Sequence, residues 1–338
     1  DMPLTFNPKR KSFYLMAETV EGTLVTSTTL FVIGNATLPV ESLKFTPDVA
    51  FEERNPLSPT GQPLVSIANR AAGEFSFNTP FVSAATAGVA GPLSPLLRTF
   101  MAEVLVADTS SSYHFTPFST VRLSAGYGTI REDGAVEVQV ALSGCGVSKA
   151  SLKADGPGKR LMVDWTIKGK QAYATAAPVV IDDSSPQTAI VCVDDLTDGF
   201  TFRNATVRSG MFSRNISKFE LDFGLTGDLG VDIGDGSTYD WFKYGDCKPI
   251  IKLDPAMDTV ANAPDLATLI SGGHASAGFT VTNAAGRTLT VSIPNLQPTK
   301  LSEGSRDQSV TWEVEALCAR SSNGVAAATP DAYSLVIA

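Results

Sequence analysis

Histidine and serine side chains give the first test for catalytic chemistry in this chain of 338 residues. Its two histidines are His114, which precedes Phe-Thr-Pro, and His274, which follows two glycines. A serine hydrolase needs a histidine beside an acid and an activated serine, and the sequence contains no GxSxG motif. Neither histidine has a partner at the spacing of zinc ligands. These residues predict no nucleophilic triad and no metal site.

The carboxylate residues leave glycoside hydrolysis as one enzymatic reaction that the sequence does not exclude. Glycoside hydrolysis needs only two of them, and the 35 Asp and Glu residues allow many pairs. The glycine-rich turns at Gly126 to Gly128 and Gly234 to Gly236 are isolated and lack the spacing of a nucleotide-binding loop. We expect a protein that is not an enzyme and that holds no cofactor.

The four cysteines indicate the redox compartment in which the protein is expected to function. They are widely spaced, form no CxxC pair and favour free thiols in a reducing cytoplasm over an extracellular disulfide framework. They are Cys145, Cys192, Cys247 and Cys318. No secretory signal and no apolar run of about 18 residues is visible, so we expect no membrane association.

The formal net charge of −9 belongs entirely to the second half of the chain. Residues 1–180 hold 15 acidic and 15 basic residues, whereas residues 181–338 hold 20 and 11. Many of the acids fall between residues 222 and 246, namely Asp222, Asp228, Asp232, Asp235, Asp240 and Asp246. A solvated acidic loop, a surface that repels nucleic acid and an adventitious cation site all fit this cluster, although the ligand spacing of a calcium loop is absent.

Two runs of alternating apolar residues indicate strands with one buried face. Turns precede both runs, at Asp133-Gly134 and at Asp155 to Gly158, and a shorter strand is predicted between them at Val147 to Leu152. The alternating residues are Val136, Val138, Val140 and Leu142, then Leu161, Val163, Trp165 and Ile167. Trp165 falls inside such a run, which favours a core role over base stacking. The pattern predicts an antiparallel meander in a mainly β protein.

The two halves resemble each other. Asn35-Ala36-Thr37 and Asn204-Ala205-Thr206 both follow an apolar run, 169 positions apart. Pro92 to Glu103 and Ala263 to Gly273 are predicted as short helices at nearly the same offset. Two ordered landmarks favour duplication over chance similarity of short strands. We predict a first domain at residues 1–180 and a related second domain at residues 181–338, joined near Ala177 to Pro186.

Five segments along the chain combine strands, turns and a helix in a fixed order. They are Ser12 to Asn35 with a Glu-x-x-x-Gly turn, Ala72 to Glu103 with a Leu-Leu-Arg helix, Ser112 to Ser119, Asp133 to Lys170 with an Asp-Gly hairpin and a Gly-Cys-Gly turn, and Ile216 to Pro255. In this order they resemble the long tail tube proteins of tailed, non-contractile bacteriophages. The helix departs from the ending common in that family, and residues 256–338 match only in general layout.

The resemblance implies tandem tail-tube-type β-sandwich or barrel domains, each with one flanking short α-helix. In that family, domains form rings that stack into a hollow conduit for DNA passage into the host. Single-copy members form six-subunit rings, so a duplicated chain is expected to form a three-subunit ring of pseudo-sixfold shape. The expected function is that of a structural virion protein, the major subunit of the tail tube.

The same resemblance implies the partners. They are further copies of the chain, a tape measure protein, and tail terminator and distal tail proteins. DNA would pass through the lumen without specific binding, which few inward Lys and Arg residues and net acidity favour. The expected location is the tail of the virion, with synthesis and assembly in the cytoplasm of the bacterial host.

Candidate assembly residues follow from loop length and strand pattern. Ring stacking is assigned to two loops, Thr46 to Pro63 and Gly224 to Asp246. Their candidate residues are Glu52, Glu53, Arg54, Asp228, Asp232 and Asp235. The barrel wall or subunit edge is assigned to Val136, Val138, Val140, Leu161, Val163 and Trp165.

Two other functions stay open at this point. A tube protein of a contractile injection or secretion system obeys the same physics but is expected as one domain of about 160 residues. A β-sandwich adhesin or carbohydrate-binding surface protein is expected to carry an export signal and to bind glycans as a monomer.

Overall fold

The fold is that of a computed structural model of the chain, and it is mainly β as predicted. The structure describes residues 6–23, 40–52, 67–84, 86–115, 119–131, 136–156, 158–171, 199–202, 207–209, 216–231, 239–255, 271–306, 309–319 and 332–338. The predicted domain linker and both Asn-Ala-Thr segments lie outside these residues, as does most of the predicted helix at Ala263 to Gly273.

The described strands pair antiparallel throughout, and most of them belong to one 15-stranded sheet. The first half contains β1 (Phe6–Ala17), β2 (Glu41–Glu52), β3 (Ile67–Pro80), α1 (Ser94–Leu97), β4 (Met101–Val106), β5 (Ser110–Phe115), β6 (Leu123–Arg131), β7 (Val136–Ala154) and β8 (Met162–Gln171). The second half contains β9 (Val207–Ser209), β10 (Phe219–Asp222), β11 (Gly227–Val231), β12 (Tyr239–Tyr244), β13 (Ile250–Leu253), β14 (Ala275–Thr282), β15 (Thr288–Arg306), β16 (Ser309–Ala319) and β17 (Ser334–Ile337). Strands β11 and β12 form a separate two-stranded sheet.

Strand β7 differs from the prediction. The two strands expected at Val136 to Leu142 and at Val147 to Leu152 are a single strand of 19 residues. The glycine-rich stretch between them is a bulge instead of a reversal: the register with β8 shifts between Ser143 and Gly146, and Gly144 has a φ of +61°. This bulge and a tight turn both place a residue at positive φ, so the same glycine suits either.

The first predicted helix is much shorter than expected. Only Ser94–Leu97 is helical, and Met101 already begins β4. Thr99 Oγ1 donates a hydrogen bond to the carbonyl of Leu96 at 2.7 Å, which satisfies a terminal acceptor. Residues 101–106 instead pair along their whole length with β5. The leucine spacing fits a helix, but this ladder decides the structure.

One cluster of buried apolar side chains extends through both halves of the chain. Trp165 of β8 is 1% exposed, and its indole Nε1 donates to Thr79 Oγ1 at 2.9 Å, which confirms its core role. In the second half, the rings of Phe219 and Phe279 lie 5.0 Å apart and T-shaped. Aromatic side chains bury about 150–250 Å² each, so these rings supply much of the driving force for folding.

The order of strand pairing occurs twice. In the first half the neighbouring strands run β1, β6, β7, β8, β3, β2, and in the second half β9, β14, β15, β16, β13, β10. Strands β7 and β15 hold the same place and are both 19 residues long. The halves are joined where β10 pairs with β7 and where β17 pairs with β5. Duplication would leave such an order, although the division at residue 180 stays a prediction.

The hairpin β11–β12 of the second half packs on the sheet of the first half. Phe242 is fully buried over Gly146, and Trp241 lies beside Gly144. The hydroxyl of Tyr244 accepts a hydrogen bond from the backbone N–H of Val147 at 3.2 Å. The glycines of the β7 bulge leave the room that these aromatic rings occupy.

Replacing Gly146 by alanine tests this contact. The added methyl carbon would lie 2.2 Å from Phe242 Cδ1, so the hairpin must shift. We expect Gly146→Ala to lower the free energy of unfolding by about 1–3 kcal/mol. Urea denaturation followed by circular dichroism measures this change. Gly156→Ala is the matched control, because its nearest atom is Lys159 Cγ at 3.6 Å. Equal losses in both variants would contradict the packing described.

Candidate self-assembly edges

The residues predicted for the barrel wall or subunit edge fall in two different places in the sheet. Strand β8 pairs with β3 on one side and with β7 on the other, so it is not an edge. Leu161, Val163 and Trp165 are at most 1% exposed. Val136, Val138 and Val140 lie in β7, where Val140 is half-buried and the other two side chains are outside the described residues. Strand β8 is thus interior, whereas residues 136–141 of β7 have β6 alone as a described partner, because the pairing with β8 begins at Leu142. The assignment of these residues to a barrel wall or subunit edge stays a prediction.

The residues predicted for ring stacking are dispersed. Glu52 is the last residue of β2, while Glu53, Arg54, Asp232 and Asp235 lie outside the described residues. The predicted loop at Gly224 to Asp246 is not an open loop, because it contains the packed hairpin β11–β12.

Asp228 lies in β11 and forms an ion pair with a residue of the first half. Its carboxylate forms an ion pair with Lys168 Nζ of β8 at 2.7 Å. Desolvation acts to raise the pKa of Asp228, but the hydrogen bond and charge of Lys168 together with the backbone N–H of Leu229 outweigh it and hold the pKa below its usual value. One acid of the predicted cluster thus fastens the hairpin to the sheet.

Glu18 fixes the bulge on which that hairpin rests. Its carboxylate accepts hydrogen bonds from the backbone N–H of Gly144 at 2.7 Å, the N–H of Gly22 at 2.7 Å and the hydroxyl of Ser124 at 2.9 Å. Burial raises the pKa of this carboxyl, against the effect of the three hydrogen bonds. The turn after β1, strand β6 and the β7 bulge are thereby held by one side chain.

Strand β4 is an edge with an apolar surface. It stands at the end of the sheet and pairs with β5 alone among the described strands. Val104, Leu105 and Val106 are 49%, 45% and 49% exposed, and neighbouring Val89 is 50% exposed. Exposed edges are usually protected by charged residues or proline, and these three positions have neither. Such an edge is suited to pairing with another chain.

Two further edges belong to the repeated strand order. Strand β2 ends the sheet on the other side and carries Lys44, Pro47 and Asp48. Strand β15 pairs with β14 only as far as Leu296. Among the described residues, its last ten positions therefore pair with β16 on one side alone.

One shallow groove crosses the sheet between β7 and β15, and its charges are balanced. Lys153 Nζ lies 2.6 Å from Asp164 Oδ2, and Lys252 Nζ lies 3.3 Å from Glu220 Oε2. The hydrogen bond to Asp164 raises the pKa of Lys153. The groove is thus a surface of alternating sign.

The described histidines and cysteines occupy separate places. His114 Nε2 lies 3.3 Å from Ser112 Oγ within β5, and His274 is exposed just before β14. Cys145, Cys247 and Cys318 are free thiols, and burial raises the pKa of each. Within the described ranges, no three His, Cys, Asp or Glu side chains are grouped to hold a metal ion. Among those same residues, no helix has the length and apolar character needed to cross a bilayer.

No family model and no curated protein matches the chain. The sequence does not reveal the apolar edge at Val104 to Val106, because that run follows the predicted helix at Pro92 to Glu103 and no strand is predicted there. The absence of charge between Glu103 and Asp108 is the signal that could have found it.

Placing lysine on the β4 edge tests its part in self-association. In Val104→Lys/Val106→Lys the apolar surface is replaced by two like charges, so we expect self-association to weaken about tenfold or more. The fold should persist, since exposed positions usually change stability by about 0.5 kcal/mol or less. Sedimentation velocity measures the association, with Val20→Lys, at a residue 63% exposed elsewhere, as control. Equal association of both variants and the wild type would exclude this edge.

Proposed function

We propose that the chain is the major tail tube subunit of a non-contractile tailed bacteriophage. In this role, copies assemble into rings, and stacked rings form a hollow conduit through which DNA passes into the host. The proposal rests on the ordered resemblance along residues 12–255 and on one structural observation. That observation is the strand-pairing order, which occurs twice within one continuous antiparallel sheet. Among the described residues, some edges of this sheet have no partner strand.

The repeated order favours a ring. Two similar units in one chain already share a strand ladder, β7 with β10. If the same step were repeated between chains, the sheet would continue from copy to copy and its unpaired edges would be removed. Three chains would supply six such units, which is the pseudo-sixfold ring expected of a duplicated subunit. A single-domain tube protein of a contractile system would lack this internal step.

The charge distribution agrees with a conduit for DNA. Duplex DNA binds Lys and Arg side chains through counterion release even without sequence preference, so uncompensated cations would retard passage. In the charged groove, Lys153 and Lys252 each face a carboxylate within 3.3 Å. The net charge of −9 acts in the same direction.

The proposed role as a tail tube subunit requires further partner proteins. A tube of defined length needs a tape measure protein inside it and terminator and distal tail proteins at its two ends. The protein would act in the tail of the virion after assembly in the bacterial cytoplasm. Its free thiols at Cys145, Cys247 and Cys318 are compatible with assembly in a reducing compartment.

Electron microscopy of the purified chain tests the proposal. We expect rings or hollow rods in negative stain, together with a three-chain species in size-exclusion chromatography with light scattering. Raising the protein concentration should lengthen the rods by mass action. A stable monomer at high concentration would contradict the function, and six chains per ring would contradict the three-subunit arrangement.

A further inference from the structure

The ladder that joins the two halves provides a template for a contact between copies. Residues Ser151–Ala154 of β7 pair with Phe219–Asp222 of β10, with Leu152 opposite Leu221 and Lys153 opposite Glu220. Strand β10 comes from the second half, so this is a step from one unit to the next. Strand β10 pairs with the same edge of β7 that β6 occupies as far as Cys145.

Bulges define the position on β15 that corresponds to this edge. In β7 the register with β8 shifts between Val147 and Lys149, and in β15 the register with β16 shifts between Pro298 and Lys300. Aligning the two shifts makes Lys149 equivalent to Lys300. Residues 302–305 of β15 then correspond to Ser151–Ala154. In the described chain these residues pair with β16 and leave their other side unpaired.

The same alignment identifies the strand that should fill this edge. Across the strands of the first half, Ala150 pairs with Trp165, which pairs in turn with Phe77. In the second half, the equivalent Leu301 pairs with Val314, which pairs in turn with Leu253. Phe77 and Leu253 are therefore equivalent, and so are their neighbouring strands β2 and β10. In consequence, Phe45 of β2 holds the place of Leu221 in β10. Strand β2 also has β3 as its one described partner.

We propose that β2 of one copy pairs antiparallel with the unpaired edge of β15 in the next copy. In this ladder Lys44 lies opposite Gly304, Phe45 opposite Glu303 and Thr46 opposite Ser302. The occupant of the β15 edge is thus a second copy of this chain. The inference rests on the proposed ring and names the strands and the register that join its subunits.

Charge complementarity supports the pairing. In the template, Glu220 lies between Lys153 and Lys252. At the equivalent positions Lys44 replaces Glu220, while the uncharged Gly304 and Ser76 replace Lys153 and Lys252, so an acid that pairs with Lys44 must come from elsewhere. A Cβ on Gly304 would lie 3.0 Å from Glu313 Cγ, so the Glu313 side chain leans over this glycine. The missing side chain leaves room for the ammonium group of Lys44 to reach Glu313.

The opposite face of the ladder carries apolar surface on both copies. Val310 is 44% exposed on β16, and Trp312 beside it is half-buried. On β2, Leu43 and Phe45 are half-buried in the isolated chain. Pairing would bring these four side chains onto one face, with Glu303 between Phe45 and Trp312, and would remove part of the apolar surface from water, a gain of about 25 cal/mol per Å².

The contact is head-to-tail. Each copy offers one β2 edge and one β15 edge, so the interface joins different surfaces of neighbouring copies and generates a closed ring or an open helix. Disulfide trapping between two variants tests the register, each with one added cysteine in a chain that carries Cys192→Ser and Cys247→Ser, while Cys145 and Cys318 are buried. A mixture of Thr46→Cys and Ser302→Cys chains can link only between copies, and directly opposed residues satisfy disulfide geometry. Thr46→Cys mixed with Glu303→Cys is the control, because adjacent strand residues face opposite sides of a sheet.

After mild oxidation and a non-reducing gel, we expect a linked dimer from the first mixture in at least fivefold excess over the control. Linked dimers from Thr46→Cys alone would show that two β2 edges meet and would overturn the proposal. Assembly of all variants into rings with no link in the first mixture would overturn it as well, while leaving the tube function standing. Wild-type chains that never assemble would instead contradict the proposed function, and the inference with it.

Charge reversal gives an independent measurement. Lys44→Glu and Glu313→Lys should each weaken assembly, and the double variant Lys44→Glu/Glu313→Lys should restore at least half of it. Thermal unfolding of each variant controls for folding. Equal assembly by the two single variants and the wild type would overturn the ion pair and the register that places it.

Discussion

The structure depends on the pairing of one strand, β7, with three others. No single described neighbour pairs with all 19 of its residues. Strand β8 takes one edge from Leu142 onward, while β6 and β10 share the other in succession. Because β10 belongs to the second half, this exchange of neighbours turns two similar units into one sheet.

The bulge at Gly144 makes the exchange possible, and buried polar bonds hold it. A bulge bends the strand and re-aims its edge, but leaves backbone donors that need acceptors. Glu18 supplies them for Gly144, and the ring of Phe242 fills the space over Gly146. The raised pKa of Glu18 shows the cost of burying a carboxylate. The three hydrogen bonds that the carboxylate accepts offset this cost, and they fix three segments of the chain together.

Much of the first half could be predicted from sequence, because alternation reports burial directly. The run ending in Ile167 lies in the core as its spacing indicated, and Leu142 at the end of the other run is buried as well. Three features could not be found in this way. Glycine at position 144 suits a turn as well as a bulge, and Leu96-Leu97 suits a helix as well as a packed turn. Edges are a property of the whole sheet, since the pattern of one strand does not say which of its sides another strand will take.

The ladder within the chain and the equivalent ladder proposed between copies have different physical characters. Within the chain, Leu152 and Leu221 face each other in the core, and the covalent connection keeps this ladder at high effective concentration. At the equivalent positions on β15 and β2 the residues are Glu303 and Phe45, with Gly304 and Lys44 beside them. Such a ladder is weaker and depends on salt, because part of its energy comes from exposed charges. In the proposed ring, each subunit would fold with the β7–β10 ladder already made and would leave the weaker β2–β15 ladder for assembly, so misplaced copies could dissociate before the ring closes.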